Sequence, residues 1–406
     1  MNSKISNFCP LLIWLVIISV SVVFLGVIII LLINVFYKPA GSNEVLRYFD
    51  QDFLQRSSEY HRISLTISLI RKMITLLFMV AVLFIAWKYF SRTPRMPILM
   101  ALAYIALFYI ILQLILLPFS YYRGFIIEHR FGLSNQTLSM WFSDFIKNWA
   151  ISFIISTGAL TGIYALMIYL PRYWWQILGA AFIIFIIIGT YIYPIIIDPL
   201  FYKFEKLEDS KLKSQIIDIS GKAGIEIDDV LVADASRRTS KANAYFTGIG
   251  NSKRIVIFDN LLNKFTDQQT MAVIAHEIGH WHYRHIIKNI ILGSALGILA
   301  IFLLKIILGK AGLVGDFKAI ILIILLMSTL SFIILPVQNT ISRFFERQAD
   351  GYALKLTEDP EVQISLTVKL GRSNLSNVCP HPLIKVFLYS HPSIMERIKQ
   401  TEQSSR

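Results

Sequence analysis

Apolar residues in this chain gather in long unbroken runs rather than recurring with the period of a half-buried helix or strand. Runs of about twenty such residues are read as membrane-spanning helices. Seven stand out, at roughly Phe8 to Phe36 and at 69–90, 97–121, 147–170, 174–197, 288–309 and 318–341. The first is longer than a signal-peptide core and no small-residue cleavage site follows it closely, so it is expected to be a retained helix. Only Pro171, Arg172 and Tyr173 part the fourth run from the fifth, which demands a tight hairpin.

The polar connections are unequal. Segments 37–68, 122–146, 198–287 and 342–406 are long and charged, whereas 91–96, 171–173 and 310–317 are short. With seven crossings, all four long segments fall on one side. Within 200–270 the pattern changes to that of a small α+β unit. Lys211 to Ala223 has helical spacing, and Asp229 to Ala233 and Arg254 to Phe258 read as strands. Asn243 to Phe246 precedes a Gly250-Asn251 turn. The expected organisation is an N-terminal membrane region with five helices over 1–197, an α+β segment over 198–287, two further spans over 288–341, and a C-terminal segment over 342–406. The fold class is an all-α polytopic membrane protein carrying a small α+β domain.

Composition agrees with the runs. Of 406 residues, 55% are hydrophobic and 16% charged, with a mean hydropathy of +0.60, which excludes an ordinary soluble protein. Lys plus Arg outnumber Asp plus Glu by 39 to 26, a net charge of +13. Many of these basic residues flank apolar runs, so anionic lipid and topology account for them better than nucleic acid does. Lys38, Arg47, Arg56, Arg62, Arg71 and Lys72 crowd in and beside the first long connection, which assigns the long-segment side to the cytoplasm. Cys9 and Cys379 suggest neither a disulfide framework nor a cysteine metal site. No nucleic-acid partner and no obligate protein partner is expected.

The chemistry concentrates in Ala275-His276-Glu277-Ile278-Gly279-His280-Trp281. On a helix, His276 and His280 project from one face a turn apart and can share one zinc ion. Glu277 is then placed to take a proton from a water. A third ligand must come from elsewhere, and Glu346 in Phe345-Glu346-Arg347-Gln348-Ala349-Asp350 is the best candidate, completing the two-histidine, one-glutamate set of thermolysin-like (gluzincin) sites. Asp350, four residues on, could accept the free ring N–H of a zinc-bound histidine. The HExxH stretch leads into the sixth span and the seventh leads to Glu346, so an antiparallel hairpin of those spans would return Glu346 to the level of the histidines. Asn243 to Phe246 is the candidate strand edge for holding a peptide in extended form, against the alternative of an ordinary hairpin. His282 and His285 are read as polar boundary residues, Trp281 as an interfacial anchor, and His61, His129 and His381 as loop residues with no geometric argument.

The resemblance is to the zinc-dependent CAAX prenyl endopeptidases. It is carried by the HExxH helix with its continuation His285-Ile286-Ile287-Lys288-Asn289, the Glu346 to Asp350 element, Asp234 to Arg238 followed by Asn243-Ala244-Tyr245, and Phe258-Asp259-Asn260-Leu261. The loop Glu128 to Thr137 and the tail Ser390-His391-Pro392 belong to it too. It implies seven membrane helices enclosing a water-filled chamber, zinc held by His276, His280 and Glu346, and Glu277 as catalytic base. It also implies Asp350 as a second catalytic or orienting acid, and His391, with Arg397 behind it, as the group that stabilises the oxyanion. Family members remove the last three residues of proteins whose C-terminal cysteine is prenylated.

The chain departs from the pattern at Lys241, where histidine is usual, and at Asn260, where threonine is common. It ends without an endoplasmic-reticulum retention signal, favouring a bacterial inner-membrane relative for which the prenylated substrate does not follow. The expected reaction is peptide hydrolysis near the C-terminus of a membrane-associated protein by metal-activated water, with one zinc per chain and no protein nucleophile. Two other readings are a site-2-type or quality-control membrane metalloprotease, disfavoured by the polar surroundings of Trp281 to Arg284, and a transporter with a structural zinc.

Overall fold

The computed structural model describes residues 2–37, 43–89, 95–225, 227, 230–247 and 254–404. Among them seven helices are long and apolar enough to cross a membrane: Leu12–Phe36, Gln51–Tyr89, Ile98–Arg130, Leu138–Tyr169, Trp174–Leu200, His285–Ala311 and Lys318–Thr357. Their apolar side chains face outward, with Phe84 73% and Leu99 78% exposed. A surface of that kind is at home only in lipid. Number and order match the apolar runs, and the fourth and fifth helices are joined through the expected turn at 171–173.

The ends differ. The second and seventh helices have 39 and 40 residues, roughly 60 Å each, about twice the hydrocarbon thickness. Residues 51–68 and 342–357, read above as connections, therefore continue the helices beyond the apolar stretch. Hydropathy marks where lipid begins and not where helical hydrogen bonding stops. For the same reason His61 lies within the second helix rather than in a loop, and His129 lies in a helical turn.

At one end of the helices sits a four-stranded sheet of order β1-β2-β4-β3, with β1 at Phe204–Lys206, β2 at Val230–Ala233, β3 at Ala244–Thr247 and β4 at Arg254–Phe258. β2 and β4 are parallel and the outer pairs antiparallel. β1 is too short for periodicity to reveal. β3 is an edge strand, with Ala244 opposite Ile257 and Phe246 opposite Ile255. The sheet shares its core with the HExxH helix, Asp267–His282, through buried Ile255, Ile257, Ile274, Ala275 and Ile278. That helix opens on a capping box, in which Thr266 Oγ1 and the Gln269 side chain each bond the other's backbone N–H. It ends where Arg284 takes a left-handed conformation (φ 54°), and His285 immediately begins the sixth span.

Candidate active site

Two helices build the site. The HExxH helix carries His276, Glu277 and His280, and the seventh helix runs unbroken from Lys318 to Thr357, carrying Glu346 and Asp350. Their approach depends on Gly279. A Cβ there would stand 2.9 Å from Ala349 Cα and 3.1 Å from Ala349 O, both backbone atoms. Gly279→Ala must therefore push the helices apart, and overpacking of this kind costs about 1–3 kcal/mol. Its expected effect is a weaker hold on metal with helix content retained, measured by metal titration beside circular dichroism. Wild-type metal affinity in that variant would show that the close approach is dispensable.

The hairpin of the sixth and seventh spans brings together the three expected ligands. Donor atoms of His276, His280 and Glu346 lie within 4.8 Å of one another. Glu346 Oε2 is 3.3 Å from His276 Nε2, and Oε1 is 3.5 Å from His280 Nε2. The surrounding bonds decide which ring nitrogens are free. His276 Nδ1 donates to Asp350 Oδ1 at 2.9 Å, leaving the Nε2 lone pair inward. His285 Nε2 donates to Gln348 Oε1 at 3.1 Å, so its Nδ1 accepts from His280 Nδ1 at 3.0 Å and the Nε2 lone pair of His280 is also inward. Those two nitrogens face each other at 3.1 Å, and buried Glu346 Oε2 has no hydrogen bond. Two opposed lone pairs beside an orphaned carboxylate oxygen are a donor set suited to a divalent cation.

Electrostatics around the cluster are strongly perturbed. Burial alone would lower the pKa of His276, but the negative charge of Asp350 and Glu346 outweighs it and favours positive charge at this spot. Burial pushes Glu277 up to about 7, with help from Glu346, and lowers His280 to about 4. Arg397 grips Asp350 with two bonds, Nε to Oδ2 at 2.9 Å and Nη2 to Oδ1 at 2.6 Å. The guanidinium thus stands behind the acid, with Asp350 between it and His276. His391 Nε2 is 3.3 Å from Glu346 Oε1 with its ring 62% exposed, and it lines the same cavity of about 360 Å³ as Glu277, Arg397, Asn243 and Ala244.

The four candidate edge residues divide by side-chain alternation. Phe258 N–H donates to Asn243 O, so Asn243 and Tyr245 turn their backbone to β4, and Ala244 and Phe246 turn theirs to the open side. Phe246 N–H accordingly reaches Glu277 Oε2 at 3.3 Å. Asn243 and Ala244 line the cavity. Tyr245 points its side chain away, donating its hydroxyl to Asp198 Oδ2 at 2.8 Å. The Phe246 ring packs on Trp281 at 5.0 Å between centroids, so Trp281 belongs to the core around the edge strand rather than to a lipid interface.

Three residues escaped the sequence reading. His285 is 2% exposed, a buried partner of His280 rather than a polar boundary residue, because the chain reverses at Arg284 and tucks it under the site. Asn374 pairs with the edge as a strand would, accepting from Ala242 N at 3.1 Å and donating to Ala242 O at 3.3 Å, so the open edge begins at Ala244. His61 lines the metal-site cavity and bonds Leu375 O at 2.9 Å. No sequence signal marked the last two, since neither lies within a motif. The departing residues are anchored as well: Lys241 Nζ pairs with Glu128 Oε2 at 2.8 Å, and Asn260 Nδ2 donates to Thr239 O at 2.6 Å.

The chain is similar to known proteins over most of its length. Residues 33–203 match the sequence model described as CAAX prenyl protease N-terminal, five membrane helices, and residues 206–405 match that of peptidase family M48. The uncharacterized metalloprotease YhfN of Bacillus subtilis is 34% identical over 78% of this chain and 76% of its own. The CAAX prenyl protease 1 homolog of Arabidopsis thaliana is 31% identical over 89% and 90%. The crystal structure of S. mikatae Ste24p superposes with a TM-score of 0.78 at 27% identity, covering 98% of both chains. With HExxH, a carboxylate from a second helix and seven membrane-spanning helices in one chain, the protein belongs to the M48 peptidases of the CAAX prenyl protease type, membrane metalloendopeptidases.

Proposed function

We propose that the chain is a zinc endopeptidase cutting near the C-terminus of membrane-associated proteins, with its site facing the cytoplasm and opening into a chamber between the spans. The observation that carries this is the outer edge of β3, which among the described residues pairs with no further strand, lying against the metal-donor cluster with Phe246 N–H bonded to Glu277. His276, His280 and Glu346 would hold the zinc, which when bound acts as a Lewis acid toward the scissile carbonyl and acidifies water. Glu277, raised to about 7, accepts a proton from water and returns it to the leaving amine. Asp350, locked by Arg397, keeps His276 in the ligating tautomer, and His285 with Gln348 does so for His280. His391 is placed to donate to an oxyanion from the cavity side. The relatives named as CAAX prenyl proteases support C-terminal processing. The bacterial inner membrane is the setting favoured for this chain, where substrates need not be prenylated. Neighbouring polar cavities of about 360, 610 and 330 Å³ support an internal chamber, and the basic residues beside the first long connection support the orientation.

The substrate is expected to lie extended along Ala244 and Phe246, beginning where Asn374 leaves the edge open. Backbone pairing places little demand on sequence, but proline cannot donate to the ladder. Stepping proline through a cleavable peptide should abolish cutting at a few alternate positions near the scissile bond and leave distant ones tolerated, read by mass spectrometry of the products. Uniform tolerance along the series would remove the edge from the reading.

A further inference from the structure

Two arginines among the membrane helices have no anion to hold. Arg71, on the second helix, and Arg123, on the π-helical turn Tyr122–Ile127, line one polar cavity of about 610 Å³. They lie near enough for their charges to repel. Among the described residues neither guanidinium has a hydrogen-bond or ion-pair partner. The acids around the same cavity are engaged elsewhere. Glu128 accepts from the Tyr60 hydroxyl at 2.6 Å and pairs with Lys241 at 2.8 Å. Asp144 Oδ2 takes Arg238 Nε at 2.9 Å and Gln136 Nε2 at 3.0 Å, with Lys147 3.5 Å from Oδ1. Asp198 takes the Tyr245 hydroxyl and faces Tyr193 and Tyr202. Two guanidinia lining one cavity with no carboxylate in direct contact are costly to desolvate, and such a pair marks a place where a ligand supplies the missing partner.

The cavity is not isolated from the chemistry. Arg123 also lines a third cavity of about 330 Å³ together with His61, Asn377, Tyr389 and His391. Those four residues line the metal-site cavity as well. A polar route therefore runs from His276 and Glu346 past His391 to Arg123 and on to Arg71.

We propose that Arg71 and Arg123 form the receptor for the free C-terminal carboxylate of the peptide substrate. This rests on the endopeptidase reading above and adds to it what fixes the cutting position. A guanidinium matches a small planar anion through bidentate bonds, and two lining one cavity raise its affinity for a negative charge. A carboxylate is favoured by Ser120, Ser134, Gln136 and Asn148 around the two guanidinia, while Trp141, Phe145 and Phe201 on the same wall make a lipid headgroup the competitor that the test must separate. The edge at Ala244 accepts any extended chain, so a carboxylate receptor turns it into a site that measures from the chain end.

The test uses the full chain, zinc-loaded, in lipid nanodiscs, with two peptides of one sequence ending in a free acid or an amide. Cleavage of the same internal bond is followed by mass spectrometry. Wild type is expected to prefer the acid by about 10- to 100-fold in kcat/KM, chiefly through KM, the range of a charge-assisted pair. In Arg123→Gln and Arg71→Gln the acid-to-amide ratio falls towards one, and Arg123→Lys restores part of it. Each ratio is taken within one protein, so a general loss of folded enzyme cancels. Equal use of acid and amide by wild type, or an acid preference that survives both glutamine substitutions, overturns the proposal. So does a preference set by phosphatidylglycerol in the disc, which would assign the arginines to lipid. Binding of both fluorescent peptides to Glu277→Gln, by anisotropy, decides the matter without turnover. If neither peptide is cut, the endopeptidase reading fails; an acid preference in binding then still supports the receptor, and its absence overturns it.

Discussion

Glu277→Gln is expected to keep its zinc and lose hydrolysis. The substitution removes a base while His276, His280 and Glu346 remain, and glutamine preserves the side-chain shape. Metal content by atomic emission should stay near one per chain. Loss of a general base costs about 10²- to 10⁴-fold, so peptide turnover should fall by at least about a hundredfold. The carboxylate is suited to the task because burial, with help from Glu346, raises it above the usual carboxylate range and so strengthens it as a base. Its neighbour Phe246 N–H, at 3.3 Å, ties the base to the edge on which the peptide would lie. Turnover near the wild-type rate in a metal-replete variant would remove Glu277 from the mechanism.

Glu346→Ala should cost the protein its metal. The three donors come from two helices separated by two membrane crossings, and Glu346 is the one contributed by the seventh helix. Removing a partner that merely orients a ligand weakens metal affinity about 10- to 100-fold, and removing a ligand itself should exceed that. Competition with a zinc chelator measures the change, and activity should vanish in parallel at limiting zinc. The same variant leaves His276 Nε2 and His280 Nε2 opposed at 3.1 Å with no carboxylate between them. Full zinc occupancy together with full activity would mean that the third donor lies elsewhere and that the helix hairpin does not assemble the site.

The sequence by itself determined what depends on local pattern. Seven apolar runs specify seven spans, because each must bury its backbone polar groups in its own hydrogen bonds to cross lipid. His276, Glu277 and His280 read as a candidate metal helix because four-residue spacing stacks His276 and His280 on one face whatever the rest of the chain does. Even Glu346 was legible, since two spans joined by a short turn must return to the level they left. Helix ends were less so. Gln51 to Ser68 reads as a polar connection, yet it continues the second helix, because polarity along a helix reports its surroundings and not its hydrogen bonding.

Only the tertiary structure decided what depends on packing between distant segments. Gly279 against Ala349 sets how closely the two site helices approach, and no period in either segment encodes that distance. His285 reads as a polar residue at a membrane boundary until the left-handed turn at Arg284 folds it beneath His280. Asn374, His61, Arg71 and Arg123 carry no motif at all. Each acquires its meaning from neighbours far away in the chain, because a side chain's partners, and hence its charge balance, are set by which elements meet and not by the residues beside it.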